Sequence, residues 1–112
     1  MDYTDLQVDV LSTAPLVVTV SGEIDIATGP RLREGLLGAM RRHGARLALD
    51  LGGVTFMDCA GVNVLLAARR RARLEGGWVR VPRASRRVWK VFMLTGLHQE
   101  FALAGPETVG AA

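Results

Sequence analysis

The sequence has little cysteine, histidine, lysine or aromatic character, and it has no long apolar run. Its single cysteine, Cys59, can form neither an internal disulfide nor a cysteine-rich metal site, which fits a reducing compartment. No apolar stretch approaches the ~20 residues of a membrane span, and the acidic, polar start at residues 1–5 lacks the pattern of a signal peptide. We therefore expect a cytoplasmic protein that does not insert into a membrane.

The length of 112 residues, with 49% hydrophobic and 22% charged residues, is that of one globular domain with one core. We expect a single domain over residues 1–112, with its core in residues 6–103. The small and polar residues at 104–112 are typical of a flexible tail.

Arginine supplies 13 of the 14 basic residues, and the formal net charge is +3. The arginines concentrate in the second half of the chain, at residues 69–73 and 80–87. The simplest interpretation is a helix face in contact with water, and the alternative is a surface that binds an anionic partner. A nucleic-acid partner is not expected, because no interleaved aromatic residues and no nucleic-acid motif accompany the arginines.

The first part of the chain predicts a hairpin followed by a helix. Residues Leu6–Leu11 alternate in character and Leu16–Ser21 are rich in β-branched residues, which indicates two paired strands. The helix is expected to have Thr28 or Gly29 as its cap and Pro30 in its first turn, and to end at Gly44.

The centre of the chain predicts a buried strand, a short loop and a second helix. The apolar run Leu47–Leu51 is too short for a helix and is followed by Gly52-Gly53, which we expect to end the strand. A loop over Thr55–Cys59 then leads into the helix, with Asp58 as its N-cap. Residues at helical spacing seat this helix on the sheet, namely Val62, Leu65 and Leu66.

The last part of the chain predicts a strand, a third helix and an edge strand. The strand Trp78–Val81 is expected to stop at Pro82, and Ser85 is expected to cap a helix over Arg86–Thr95. Residues Glu100–Leu103 are predicted as a final edge strand.

Alternation of strands and helices indicates the α/β class. We expect a small mixed, mostly parallel sheet of about 4–5 strands, opened by an antiparallel hairpin. About 3–4 helices are expected, mainly on one face of this sheet.

Two aspartates and the cysteine are the residues with the clearest chemical interest. Asp25 and Asp58 both follow predicted strand ends, but two carboxylates alone make a poor metal site, so turn, cap or partner-contact roles fit better. Cys59 at a helix start could be redox-sensitive. A catalytic cysteine would need a base, and no motif links His43 or His98 to it. We therefore expect a non-enzymatic protein without a cofactor, with a redox-sensitive regulator as an alternative.

Trp89 and Met93 form an apolar pair on one flank of the third helix, four residues apart and outside its inner stripe. Either this flank completes the core, or it is an exposed patch that contacts another chain. We predict the second, with a second copy of this chain as one such partner.

Three segments, taken in order and at their spacing, resemble the sulfate-transporter and anti-sigma-factor-antagonist (STAS) domain family. They are Gly22–Asp25, Leu49–Val62 and Thr95–Leu97, and the resemblance spans Leu6 to Leu103. It implies a stand-alone bacterial anti-sigma factor antagonist, which binds an anti-sigma factor of the serine-kinase type and thereby frees a sigma factor. A rival within the same fold is the accessory subunit of a membrane transporter, in which the same helix edge would bind an ATPase.

The resemblance also implies which residues contact the partner and which one the kinase modifies. The predicted contact residues are Asp25, Asp58, Cys59, Ala60, Gly61, Val62 and Asn63. Gly61 is expected to permit a close approach, either by the partner or by a neighbouring strand. In the family, the kinase reverses binding by phosphorylating a serine directly after the aspartate that is Asp58 here. This chain has Cys59 at that position and Ala60 next to it, so we predict that the phosphorylation site is lost.

Overall fold

The structure is a computed structural model that describes residues 6–103. Within this range the chain forms four strands and three helices. They are β1 (Leu6–Thr13), β2 (Leu16–Ile24), α1 (Gly29–His43), β3 (Arg46–Met57), α2 (Cys59–Leu74), β4 (Trp78–Ala84) and α3 (Arg86–Thr95). The predicted α/β class is confirmed, while the predicted tail at 104–112 lies outside the described residues.

The four strands form one mixed sheet in the order β1-β2-β3-β4. Strands β1 and β2 are antiparallel, and β2, β3 and β4 are parallel, as the sequence predicts. The crossovers through α1 and α2 both move in the same direction across the sheet, so right-handed connections place both helices on the same face. Burial along β3 agrees with this, because Leu47, Leu49 and Leu51 are fully buried while Ala48 and Asp50 are only half-buried.

The prediction that the central strand ends at Gly52-Gly53 is wrong, because β3 continues to Met57 and the predicted loop over 55–59 shrinks to Asp58. Strand β2 also runs on to Ile24 and pairs with this extension through two register shifts. A Cβ at Gly53 would lie 2.8 Å from the Cβ of Ser21. Glycine therefore allows the strands to approach closely, and the pairing continues past it.

The predicted stop at Pro82 is also wrong, since β4 runs through it to Ala84. Proline is tolerated in edge strands and at bulges. Both conditions hold here, because β4 is the outermost strand of the described sheet and its register with β3 shifts between Ala48 and Asp50.

The predicted edge strand over Glu100–Leu103 is a turn in the structure. The amides of Ala102 and Leu103 donate to nearby carbonyl groups at Gln99 and His98, which gives the segment a turn conformation. The carbonyl of Phe101 accepts from the amide of Val81 at 2.7 Å, and this bond links the turn to β4 without forming a strand ladder. Phe101 and Leu103 nevertheless point inward and are buried. The apolar alternation was thus a correct signal for burial and a misleading signal for a strand.

The helix ends follow the sequence signals. Gly44 ends α1 and Gly96 ends α3, the latter in the left-handed region with φ of 75°. The Ser85 hydroxyl accepts from the amide of Val88 at 3.3 Å and caps α3 as predicted.

Candidate functional site

The loop after β2 and the first turn of α2 meet where β2 and β3 end, and together they form one edge of the molecule. We call residues 25–28 and 58–63 the loop edge. The amide of Asp58 donates to the carbonyl of Ile24 at 3.3 Å, which joins the two segments. A Cβ at Gly29 would lie 3.5 Å from Cγ2 of Val64, so the starts of α1 and α2 are also adjacent.

Asp58 is the N-cap of α2, as the sequence predicts. Its backbone is extended, with φ of −121°, and its Oδ1 accepts from the amides of Ala60 at 2.9 Å and Gly61 at 3.4 Å. These bonds satisfy amide groups that the first helical turn leaves free. The cap therefore fixes Cys59 as the first residue of the helix, where its side chain is exposed.

Asp25 organises the loop after β2 in a similar way. Its Oδ1 accepts from the amides of Ala27 at 2.9 Å and Thr28 at 3.0 Å. The bond from the Thr28 amide, helped by those from the Ala27 amide and the Thr28 hydroxyl, holds the pKa of Asp25 below its ordinary value of 3.8 against a smaller opposing effect of desolvation. The carboxylate is thereby kept ionised as the acceptor of this turn.

Thr28 is the N-cap position of α1, one of the two predicted, but its hydroxyl makes no capping bond to the helix. The hydroxyl instead donates to the carbonyl of Glu23 at 2.8 Å and accepts from the amide of Asp25 at 2.9 Å. The threonine side chain therefore braces the loop between β2 and α1.

Gly61 and Val62 face the interior of the protein. A Cβ at Gly61 would lie 2.8 Å from both Cγ2 of Ile24 and Cγ of Met57, so β2 and β3 make the close approach at this glycine. Both residues are buried, whereas Cys59 and Asn63 are exposed and Ala60 is half-buried. The predicted contact set thus divides into residues that seat α2 on the sheet and residues that face outward.

Two exposed apolar residues of this region were not predicted. Ile26 is 82% exposed in the β2–α1 loop, and Phe56 is 37% exposed near the end of β3, where it pairs with Glu23. The Arg87 guanidinium lies 5.8 Å from the centre of the Phe56 ring. The sequence offers no signal for Ile26, because only the direction of the loop decides that its side chain points to water.

The Trp89–Met93 flank of α3 divides in a similar way. Trp89 is half-buried and packs against the core, whereas Met93 is 42% exposed. Leu94, next to Met93, is almost fully exposed. A second contact surface on α3 stays a prediction. Its exposed apolar area lies mainly at Met93 and Leu94, and less at Trp89.

Neither a metal cluster nor a spanning helix is found in the described part of the chain. Within residues 6–103, no three His, Cys, Asp or Glu side chains come together in a way that could hold a metal ion. In the same range, no helix combines the length and the apolar character needed to cross a membrane.

The sequence matches a family model described as "Mlab, STAS domain" over residues 9–105. It is 34% identical over 80 residues to the anti-sigma-B factor antagonist of Bacillus subtilis (strain 168), covering 71% of this chain and 72% of that protein. It is 32% identical over 80 residues to the anti-sigma-B factor antagonist of Listeria monocytogenes, covering 71% and 70%. Antagonists of this family act as regulators and are not enzymes, as predicted here.

Solved structures give the same result. A crystal structure of an anti-sigma factor antagonist from Mycobacterium paratuberculosis matches with a TM-score of 0.75 and 30% identity, covering 86% of this chain and 82% of that one. The unphosphorylated form of the anti-sigma factor antagonist SpoIIAA shares the fold, with a TM-score of 0.71 at 23% identity and coverage of 91% and 90%. The chain therefore belongs to the STAS domain family.

Proposed function

We propose that this protein is an anti-sigma factor antagonist that binds an anti-sigma factor of the serine-kinase type through the loop edge. The names of its relatives support the partner class. The observation that carries the choice of surface is the group of outward-facing side chains there, Ile26, Cys59 and Asn63, with the partly exposed Phe56 nearby, close to the end of β3. They combine exposed apolar area with polar groups, as the centre and rim of a protein interface do.

The backbone of this edge is already fixed in the free protein, which favours binding. The carboxylates of Asp25 and Asp58 hold both segments through bonds to amide groups. A surface that is ordered before binding loses less conformational entropy when the complex forms. Asp25 and Asp58 therefore act mainly by shaping the edge, and the exposed residues make the contacts.

We further propose that the antagonist lacks the phosphorylation switch of its family at the usual place. A kinase that transfers phosphate to a serine hydroxyl finds the Cys59 thiol there, and Ala60 has no hydroxyl. Two nearby hydroxyls, those of Thr28 and Ser85, are buried and hydrogen-bonded. Thr55 is exposed, so it is the remaining hydroxyl to monitor in this region.

Charge at position 59 should decide binding if the loop edge is the interface. Cys59→Asp places a carboxylate where phosphate acts in the family, and one badly placed interface charge costs about 1–3 kcal/mol. Cys59→Ser should bind as the natural protein does. Thr13→Asp is the matched control, because it adds the same charge at an exposed position of β1 that pairs with Leu16, at the opposite end of the sheet from the loop edge.

The experiment is a calorimetric titration of each variant with a serine-kinase anti-sigma factor of the source organism. Weaker binding of Cys59→Asp alone, with unchanged circular dichroism, supports the proposal. Equal affinity of all variants would place the interface elsewhere. Binding to a transporter ATPase and to no anti-sigma factor would favour the accessory-subunit alternative.

A further inference from the structure

Positive charge is strongly segregated in this molecule. Helices α1 and α2 together hold eight arginines and one glutamate, whereas the remainder of the chain holds six basic and ten acidic residues. The net charge of +3 is therefore the sum of a strongly basic pair of helices and a net acidic remainder of the chain. Helices α1 and α2 pack against each other, so these arginines lie on two neighbouring elements of the structure.

Six of these arginines lie towards the C-terminal ends of the two helices, and we call them the basic pole. They are Arg41, Arg42, Arg69, Arg70, Arg71 and Arg73. Both helices connect parallel strands, so both end at the same side of the sheet. The amide of Trp78 donates to the carbonyl of Ala45 at 2.9 Å, which ties together the segments that follow α1 and α2. The basic pole thus lies at the opposite end of the helices from the loop edge.

The pole carries apolar side chains among its arginines. Leu74 is 78% exposed, and it lines a shallow groove on α2 together with Leu66, Arg69, Arg70 and Arg73. Among the described residues, Arg69 and Arg71 have acidic partners, in Glu100 and Glu75. Arg70 and Arg73 form no ion pair with a described acidic residue, and both are exposed.

Exposed leucine framed by arginine fits the interface of an anionic membrane. Guanidinium groups bind headgroup phosphates, while the apolar side chain enters the boundary with the acyl chains. The phosphates of a nucleic acid would also bind the arginines, but the exposed side chain of Leu74 would add nothing to that binding. The aromatic residue that follows α2, Trp78, has the Arg80 guanidinium 4.0 Å above its ring, so that face is already covered and cannot stack on a base.

We propose that the basic pole docks this protein on an anionic lipid surface, with Leu74 inserted at the headgroup level. The membrane and the loop edge lie at opposite ends of the helices, so the lipid-bound protein keeps the loop edge free for its protein partner. Docking of this kind is peripheral and requires no spanning segment.

The test is co-sedimentation of the full chain with vesicles of phosphatidylcholine containing phosphatidylglycerol, and with vesicles of phosphatidylcholine alone. We expect binding to the anionic vesicles only, and weaker binding as salt is raised. The double variant Arg70→Gln with Arg73→Gln should bind about thirtyfold more weakly, since each arginine near an anionic surface contributes about fivefold. Leu74→Ser should bind about tenfold more weakly without any change of charge.

The matched control is Arg86→Gln with Arg87→Gln, which removes the same charge from exposed positions of α3. We expect this control to retain nearly all binding. An equal loss in the control would show that net charge alone drives binding, and it would overturn the assignment of the pole. The proposal is also overturned if anionic vesicles are not bound, or if a DNA duplex is bound more tightly and Leu74→Ser leaves vesicle binding unchanged.

Discussion

The two ends of helices α1 and α2 are built in different ways. At the loop edge, short side chains are held by bonds to the backbone: Asp58 caps α2, Asp25 closes the turn before α1, and Gly61 lies against two strands. At the basic pole, long arginine side chains reach into water, and the ion pair between Arg71 and Glu75 is exposed. The backbone conformation is therefore closely fixed at the loop edge, whereas exposed positive charge distinguishes the basic pole.

This difference predicts how each end responds to mutation. At the loop edge, residues that shape the proposed interface also hold the fold together, so changes there should affect stability and binding together. At the basic pole, charges can be removed with little effect on folding. The predictions below run from the largest expected effect to the smallest.

Gly61→Ala should be the most damaging of these changes. The new Cβ would overlap Cγ2 of Ile24 and Cγ of Met57, each 2.8 Å away, and such overpacking costs typically about 1–3 kcal/mol. Urea unfolding measures the loss. Gly35→Ala is the control in α1, where the added Cβ meets Cγ1 of Val8 at an ordinary 3.5 Å. It should be neutral or slightly stabilising, and an equal loss in both variants would contradict the packing argument.

Asp58→Ala should destabilise the protein by about 1 kcal/mol, the usual cost of removing an N-cap. The amides of Ala60 and Gly61 would lose their acceptor. Asp58→Asn keeps an oxygen in the same place and should retain most of the stability. If thermal melting shows no difference between the alanine variant and the natural protein, the cap does not stabilise α2.

Asp25 should contribute to the acid sensitivity of the fold, with a smaller effect than the Asp58 cap. Its pKa is lowered in the folded state from the ordinary 3.8, so its contribution is complete above that value and is lost as the pH falls through the lowered pKa. Asp25→Asn should therefore flatten the decline of unfolding free energy below pH 3.8. If the free energy of unfolding declines identically below pH 3.8 in the natural protein and in Asp25→Asn, Asp25 does not have this role.

Arg71→Gln should change stability least, by about 0.3–0.5 kcal/mol or less. Its partner Glu75 lies four residues away and both side chains are largely exposed, so water screens the pair. Thermal melting at low and high salt measures the effect. A loss as large as that of Asp58→Ala would show that the basic pole is more than a surface of exposed charge.

Much of the fold could be predicted because the helix signals are local. The caps at Asp58 and Ser85 and the stop at Gly96 depend on nearby backbone groups, and the structure confirms all three. Strand ends were less predictable, because they depend on a neighbouring strand. β3 passes Gly52-Gly53 only because β2 extends alongside it to Ile24.

The local structure of the candidate site was predictable, whereas the exposure of its residues was less so; its role in binding stays a prediction. The motif around Asp58 located the helix start, but it could not show that Gly61 and Val62 face inward. Exposure of Ile26 and Phe56 arises from loop direction and strand pairing, which no local pattern encodes. The sequence therefore predicts where the two strands give way to the starts of α1 and α2, and the packing around them determines which residues face outward.

The most direct test of the proposed function is to follow the complex with the serine-kinase anti-sigma factor before and after ATP is added. We predict that the complex with the natural protein forms and persists, because Cys59 offers no hydroxyl, whereas the complex with Cys59→Ser forms and then dissociates as phosphate is transferred. Dissociation of the natural complex, with phosphate found by mass spectrometry anywhere in residues 55–63, would contradict the account.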